Sequence, residues 1–369
     1  MTNKIFLILA GLLLSLLVLT LVGCDGISGD RGLSGPPGPG GDDYVLPIPE
    51  NRFFSLAITN NSQRSHNGAP KLYLAFDGEH QAAGDTVYCY QLPTGVAPAI
   101  DGKDGEDAGW GDKFTNIELV RAAGDYNFIE SAQVRSAFDN EYLYFQIQWT
   151  EVANAQYGLE VSNSNNPEYW IYPTGGSGNP DRWSKSTTNE DRLNLFFEIT
   201  SVTRYASDGC LVTCHTDDGV VNGNFHATRG SRERMDIWHW TSATTNFTGY
   251  ALDRFLDNGA SGGVKNDVGL PVYRLNREFT ITAGDTIDRP KYMAPADPNS
   301  NASYPLWDYQ IRPTTSTNWV VGSTVPGFIN SIPWGSTADI QAVGEFDNGV
   351  WTVEMKRKRF TGNGDDARF

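Results

Sequence analysis

Positive charge is scarce in this sequence. Lys and Arg number 28 against 44 Asp and Glu in 369 residues, a formal net charge of −16. That balance excludes nucleic acid as a partner, because phosphate binding needs clustered cations. Basic residues gather only in "MKRKRF" near the end, beside a strand pattern, where they are expected on a solvated edge. Helical signals are also lacking. There is no sustained helical periodicity and no internal repeat. No G-x-S-x-G elbow occurs and no carboxylate pair stands out as a glycosidase dyad, so hydrolase chemistry has no footing. The carboxylates of "DGKDGED" (Asp101, Asp104, Glu106, Asp107) do not follow EF-hand spacing and read as a solvated turn.

Long apolar runs are absent except at the start. Lys4 precedes an apolar stretch ending in Leu21-Val22-Gly23-Cys24, the pattern of a secretory signal. The Leu-x-Gly-Cys ending resembles the bacterial lipoprotein box, which implies that Cys24 is lipidated and becomes the first mature residue. The competing reading is an uncleaved membrane anchor, since the run approaches spanning length. Both export the rest of the chain. Gly26, Gly29, Gly32, Gly35 and Gly38 then recur every third residue, a collagen-like pattern too short for a triple helix alone. It reads as a flexible tether. The expected organisation is a signal peptide over residues 1–23, a Gly/Pro tether over 24–43 and one domain over 44–369.

Within that domain the periodicity is two. Leu143, Phe145, Ile147 and Trp149 alternate with Tyr142, Tyr144, Gln146 and Gln148, which predicts a half-buried strand. Leu193, Leu195, Phe197 and Ile199 repeat the pattern, as do Trp351, Val353 and Met355. Asn348-Gly349 offers a tight turn before the last of these. Long segments rich in Gly, Ser, Asn, Asp and Pro separate the runs. The fold class is all-β, an immunoglobulin-like sandwich with long loops.

Cysteine is rare, and its placement is informative. The four are Cys24, Cys89, Cys210 and Cys214. With Cys24 carrying lipid, an odd number remains in an oxidising compartment. Cys89 sits in the strand-like "TVYCYQL" and is expected to be buried and inert. Cys210 and Cys214 fall in "SDGCLVTCHTDDG", followed at once by His215. Covalent haem attachment is usually written C-x-x-C-H, two thiols beside an iron-ligating histidine. Here one residue is inserted, yet Cys214 and His215 keep their relation. A local disulfide, a zinc site with one more ligand and an ordinary surface histidine compete with the haem reading. Downstream, "MDIWHWT" places Ile237, His239 and Thr241 on one strand face and Trp238 and Trp240 on the other. His239 between two tryptophans reads either as core filling or as an axial ligand in an aromatic pocket. Met235 is the other reasonable ligand. His66, His80 and His226 are less attractive, His226 being read as a loop histidine.

The order of these signatures resembles the haem-binding domain of the ethylbenzene dehydrogenase gamma-subunit family, related to DOMON-type cytochrome domains. "APAIDGKDGEDAGW", "VRSAFDNEYLYFQIQW", "NEDRLNLFFEI", "DGCLVTCH", "MDIWHWTSATTNFTGYALDRF" and "GEFDNGVWTVEMKRKRFTG" carry the resemblance, from about Ala97 to Phe369. It implies a DOMON-like sandwich holding one haem. In b-type relatives a methionine and a lysine hold the group, and Thr241 stands where the lysine would be. The resemblance therefore implies a single covalent haem c on Cys210 and Cys214, with His215 and His239 on the iron, Met235 as the alternative, and Trp238 and Trp240 beside it. Family members usually run on through a further strand after the region matching "TGNGDDARF", so the expectation is either a fragment lacking its last strand or a last strand supplied from elsewhere. The implied function is an exported monohaem c-type cytochrome, not itself an enzyme. It is tethered by lipid to a bacterial membrane and faces the periplasm or cell exterior. It passes electrons to or from a redox partner, a molybdenum oxidoreductase or another cytochrome. The rival is a sugar-binding sandwich, because "IDGKDGEDAGW" also resembles family 9 carbohydrate-binding modules. On that reading Cys210 and Cys214 form a disulfide and no haem is present.

Overall fold

Among the described residues, alternating apolar positions pair into thirteen strands of one hydrogen-bonded sheet. The computed structural model describes residues 53–59, 67–76, 86–103, 109–111, 114–121, 129, 131–151, 165–173, 183–186, 189–209, 213, 226–259, 263–282, 285–295, 304–314 and 319–369. The signal, Cys24, the tether and the trio Cys210, Cys214 and His215 lie outside the described residues. So do His66, His80, Asp104, Glu106 and Asp107.

The strands are β1 (Phe53–Thr59), β2 (Asn67–Phe76), β3 (Thr86–Gln91), β4 (Thr115–Glu118), β5 (Val120–Arg121), β6 (Ser131–Phe138) and β7 (Tyr142–Thr150). They continue with β8 (Arg192–Glu198), β9 (Met235–Thr241), β10 (Leu252–Leu256), β11 (Val264–Asn266), β12 (Gln341–Asp347) and β13 (Val350–Lys358). Their order is β11-β10-β9-β8-β1-β2-β3-β6-β7-β13-β12, with β4 beside β6 and β5 beside β2. Pairing is antiparallel except at β2–β3 and β3–β6. Short local sequence signals make the turns. Asp139 accepts the backbone N–H groups of Glu141 and Tyr142 at 2.7 and 2.6 Å, closing the β6–β7 hairpin. Asn348 and Gly349, at φ 50° and 86°, form the tight turn before β13 that the dipeptide predicts.

The sheet folds over to make the two layers of a sandwich. Trp149 of β7 meets Trp240 of β9 at 6.2 Å between ring centroids, although five strands separate them along the sheet. Trp240 also meets Trp351 at 5.1 Å, and Phe145 meets Trp238 at 5.8 Å. Leu143, Phe145, Ile147, Leu193, Leu195, Val353 and Met355 are all fully buried between the layers. Cys89 is buried, with its Sγ 3.3 Å from Ser136 Oγ.

Two expectations change. The second face of β7 is not solvated: Tyr144, Gln146 and Gln148 are buried too. Arg135 Nε donates to Gln146 Oε1 at 2.7 Å, Gln146 Nε2 donates to Glu354 Oε1 at 2.8 Å, and Glu354 Oε2 accepts the N–H groups of Asp101 and Gly102. A buried polar group needs such partners, and this network supplies them. The second change concerns "MKRKRF". Strand β13 is an interior strand between β7 and β12, not an edge. Alternation then sends Arg357 and Arg359 inward, fully buried, while Lys358 remains exposed.

Candidate functional site

On the outer face of the β1–β8–β9–β10 layer lies a cleft of about 260 Å³. Period two explains its lining. Leu193, Leu195 and Phe197 of β8 point into the core, so Arg192, Asn194 and Phe196 point out. On β9 the same rule sends Trp238 and Trp240 in, and puts Ile237 and His239 on the cleft side. Register places Asn194 directly opposite His239, and Arg254 of β10 opposite Ile237. Ala57 and Thr59 of β1, Val264 of β11 and His226 from the β8–β9 connection complete the lining.

His239 is presented as a ligand would be. Its Nδ1 bonds to Asn194 Oδ1, its cross-strand neighbour. An amide oxygen only accepts, so Nδ1 carries the proton and Nε2 keeps its lone pair. Among the described residues Nε2 has no hydrogen-bond partner. Burial, with the positive charges of Arg254 and Arg192, holds the imidazole pKa well below its ordinary value, so the ring is neutral at neutral pH. A fixed tautomer and a neutral ring are what a metal requires of histidine.

The β8–β9 connection is held at both ends. It begins with a single helical turn, α1 (Tyr205–Asp208), whose Tyr205 hydroxyl donates to the Phe196 carbonyl at 2.6 Å. Glu233 accepts from the backbone N–H groups of Thr203, Arg229 and Gly230 and from the Thr203 hydroxyl. Burial raises the Glu233 pKa, but these hydrogen bonds outweigh it and hold the carboxyl below its ordinary value. Thr213, which stands between Cys210 and Cys214 in the sequence, is buried, and its carbonyl accepts the N–H of Ala227 at 3.2 Å. Ala227 follows His226, a cleft residue.

Of the residues singled out from the sequence, the described ones divide. His239 lines the cleft. Trp238 and Trp240 lie on the opposite, core side of β9. Trp238 packs on Phe145, Phe197 and Phe369, and Trp240 on Trp149 and Trp351. They back the histidine strand rather than face the cleft. Met235 is buried with Val202, Tyr205, Ile237 and Leu256 and is not among the cleft residues. His226, read from sequence as a loop histidine, shares the cleft with His239.

The cleft suits a haem in its chemistry. Phe196, Ile237, Ala57 and Val264 offer an apolar wall, and Arg192 and Arg254 offer cations for carboxylate substituents. Arg192 Nε is buried without an acceptor among the described residues, an orphaned donor that an anionic group would satisfy.

A second, polar groove of about 730 Å³ lies near Asn116, Gln133, Gln148, Glu345 and Thr352. Trp149 is the one aromatic among its described lining residues, and it is 2% exposed, with its Nε1 donating to Glu151. No stacking platform for a sugar ring faces this groove among the described residues.

A family model described as ethylbenzene dehydrogenase matches residues 113–369, well over half of the chain and all of the cleft but β1. No curated protein matches the chain.

Proposed function

From the premise that this chain belongs to the ethylbenzene dehydrogenase family, and so relates to the subunits of an oxidoreductase system, we propose that it is a haem-carrying electron-transfer protein. The single observation that carries this reading is His239: a neutral histidine with Nδ1 tied to Asn194 and Nε2 open to an apolar cleft rimmed by two arginines. Cys210 and Cys214 would hold the group covalently, with His215 and His239 on the iron. Haem bound there supplies a one-electron redox centre.

The chain's own part is to bind, orient and insulate. Asn194 fixes the imidazole plane and tautomer. Phe196 and Ile237 exclude water from the ligand, and Arg192 and Arg254 neutralise carboxylates at the rim. The net charge of −16 favours a partner with a basic docking patch. The lipoprotein-like leader supports a location outside the cytoplasm, with a tether to a bacterial membrane through Cys24. The redox partner is a molybdenum oxidoreductase or another cytochrome. The sugar-binding alternative has less support, since the polar groove offers no exposed aromatic ring among the described residues.

Optical spectra of His239→Ala and His226→Ala, each matured with haem, test the ligand assignment. We expect His239→Ala to keep its haem but lose the low-spin signature, and His226→Ala to keep it. An unchanged spectrum in His239→Ala would remove His239 from the iron. If His226→Ala alone changed, the ligand would be His226.

A further inference from the structure

At the other side of β9 the sheet buries a cluster of carboxylates that the haem reading does not use. Asp236 of β9 and Asp253 of β10 point inward and are 0% exposed; Asp267, just past β11, is 4% exposed and Asp366 3%. One oxygen each of Asp236, Asp253 and Asp366 lies within 4.8 Å of the others, and the same holds for Asp267, Asp365 and Asp366. The first group contains a cation already. Arg357 Nη1 lies 2.5 Å from Asp236, 3.4 Å from Asp366 and 3.7 Å from Asp253. Among the described residues, the second group has no basic side chain paired to it except through Asp366.

The count of unsatisfied oxygens is the independent observation. Among the described residues, Asp236 Oδ1, both oxygens of Asp253 and Asp267 Oδ1 are buried with no hydrogen-bond partner. Each such atom normally costs about 1–3 kcal/mol, and more when charged, so four together demand an explanation. Asp267 Oδ2 accepts from Ser336 Oγ at 3.1 Å, while Asp366 is held by Thr361 and by Asn363 Nδ2. Asp267 and Asp366 are therefore held in place, with one oxygen each of Asp267, Asp365 and Asp366 within 4.8 Å of the others.

We propose that Asp267, Asp365 and Asp366, with the Asp253 carboxylate beside them, form a binding site for one hard divalent cation of the calcium class. Calcium takes oxygen ligands at about 2.3–2.6 Å, so opposed ligands stand up to about 5 Å apart, which accommodates oxygens within 4.8 Å of one another. An all-carboxylate donor set selects a hard ion over zinc or copper. The ion would tie the C-terminal segment to the β9–β10 core and to the segment after β11.

The test uses the full chain stripped with a chelator and titrated with calcium alone, read by calorimetry and by thermal unfolding. We expect one ion per chain and a rise in Tm of roughly 5–10 °C at a calcium concentration a hundredfold above Kd. Asp365→Asn, at the partly exposed member, is expected to weaken calcium binding at least tenfold while still folding. Asp267→Asn should abolish it. No heat and no Tm change in the folded wild type would overturn the proposal and leave protons as the neutralising charge. Binding unaltered in both variants would move the ion elsewhere and equally overturn it.

Discussion

Replacing Arg357 by Met is expected to cost about 3–5 kcal/mol of folding stability, the price of stranding buried charges. The guanidinium is fully buried. It faces Asp236, Asp253 and Asp366, and its Nη2 donates to the Ala367 carbonyl at 2.8 Å. It also lies over the Trp238 and Phe369 rings, at 4.9 and 5.4 Å from their centroids. Methionine fills the volume but leaves the carboxylates without their cation. At about 2–4 °C per kcal/mol for a domain of this size, the loss reads as roughly 6–20 °C in Tm. Lys358→Met, one residue along, is the control. Lys358 pairs with Glu141 at 3.1 Å on the exposed side, and such a change falls within about 0.5 kcal/mol. Equal effects of the two substitutions would show that Arg357 does not hold the cluster together.

Trp240→Ala is expected to cost a similar 3–5 kcal/mol, by a different route. Its indole packs edge-on against the stacked pair Trp149 and Trp351 and donates to Asn246 Oδ1 at 3.2 Å. It also lies directly over Gly344 of β12: a Cβ there would stand 2.5 Å from Trp240 Cζ2. Only glycine allows that approach. Truncating the ring opens a cavity where the two layers meet, and Trp240→Phe should recover part of the loss. Urea unfolding of both variants gives the comparison. A loss below about 1 kcal/mol for the alanine variant would mean that the layers close without this residue.

How much of this was legible in the sequence depends on whether a feature is local. Period-two alternation is local, so β7, β8, β9 and β13 were readable, as was the Asn348-Gly349 turn. The side of β9 that carries His239 followed from the same rule. Its partner Asn194 did not, because their pairing depends on the register between β8 and β9, 45 residues apart. Trp238 and Trp240 were expected near a haem because they flank His239 in sequence, but adjacent residues on a strand face opposite ways. "MKRKRF" looked like an edge because charge on a strand usually means solvent. Strand order is not written locally, and it places β13 in the interior. The carboxylate cluster was least legible. Its members come from β9, β10, the segment after β11 and the C-terminal segment, and each looks like an isolated aspartate in the sequence.

The central claim is that this chain carries a covalently attached haem at its stretched motif. Its most direct test is a denaturing gel stained for haem peroxidase activity. The full chain is expressed with cytochrome maturation machinery, beside a Cys210→Ser, Cys214→Ser variant. The account predicts a haem-stained band that survives denaturation in the wild type and is absent from the variant. A colourless wild-type protein with no stained band would contradict it.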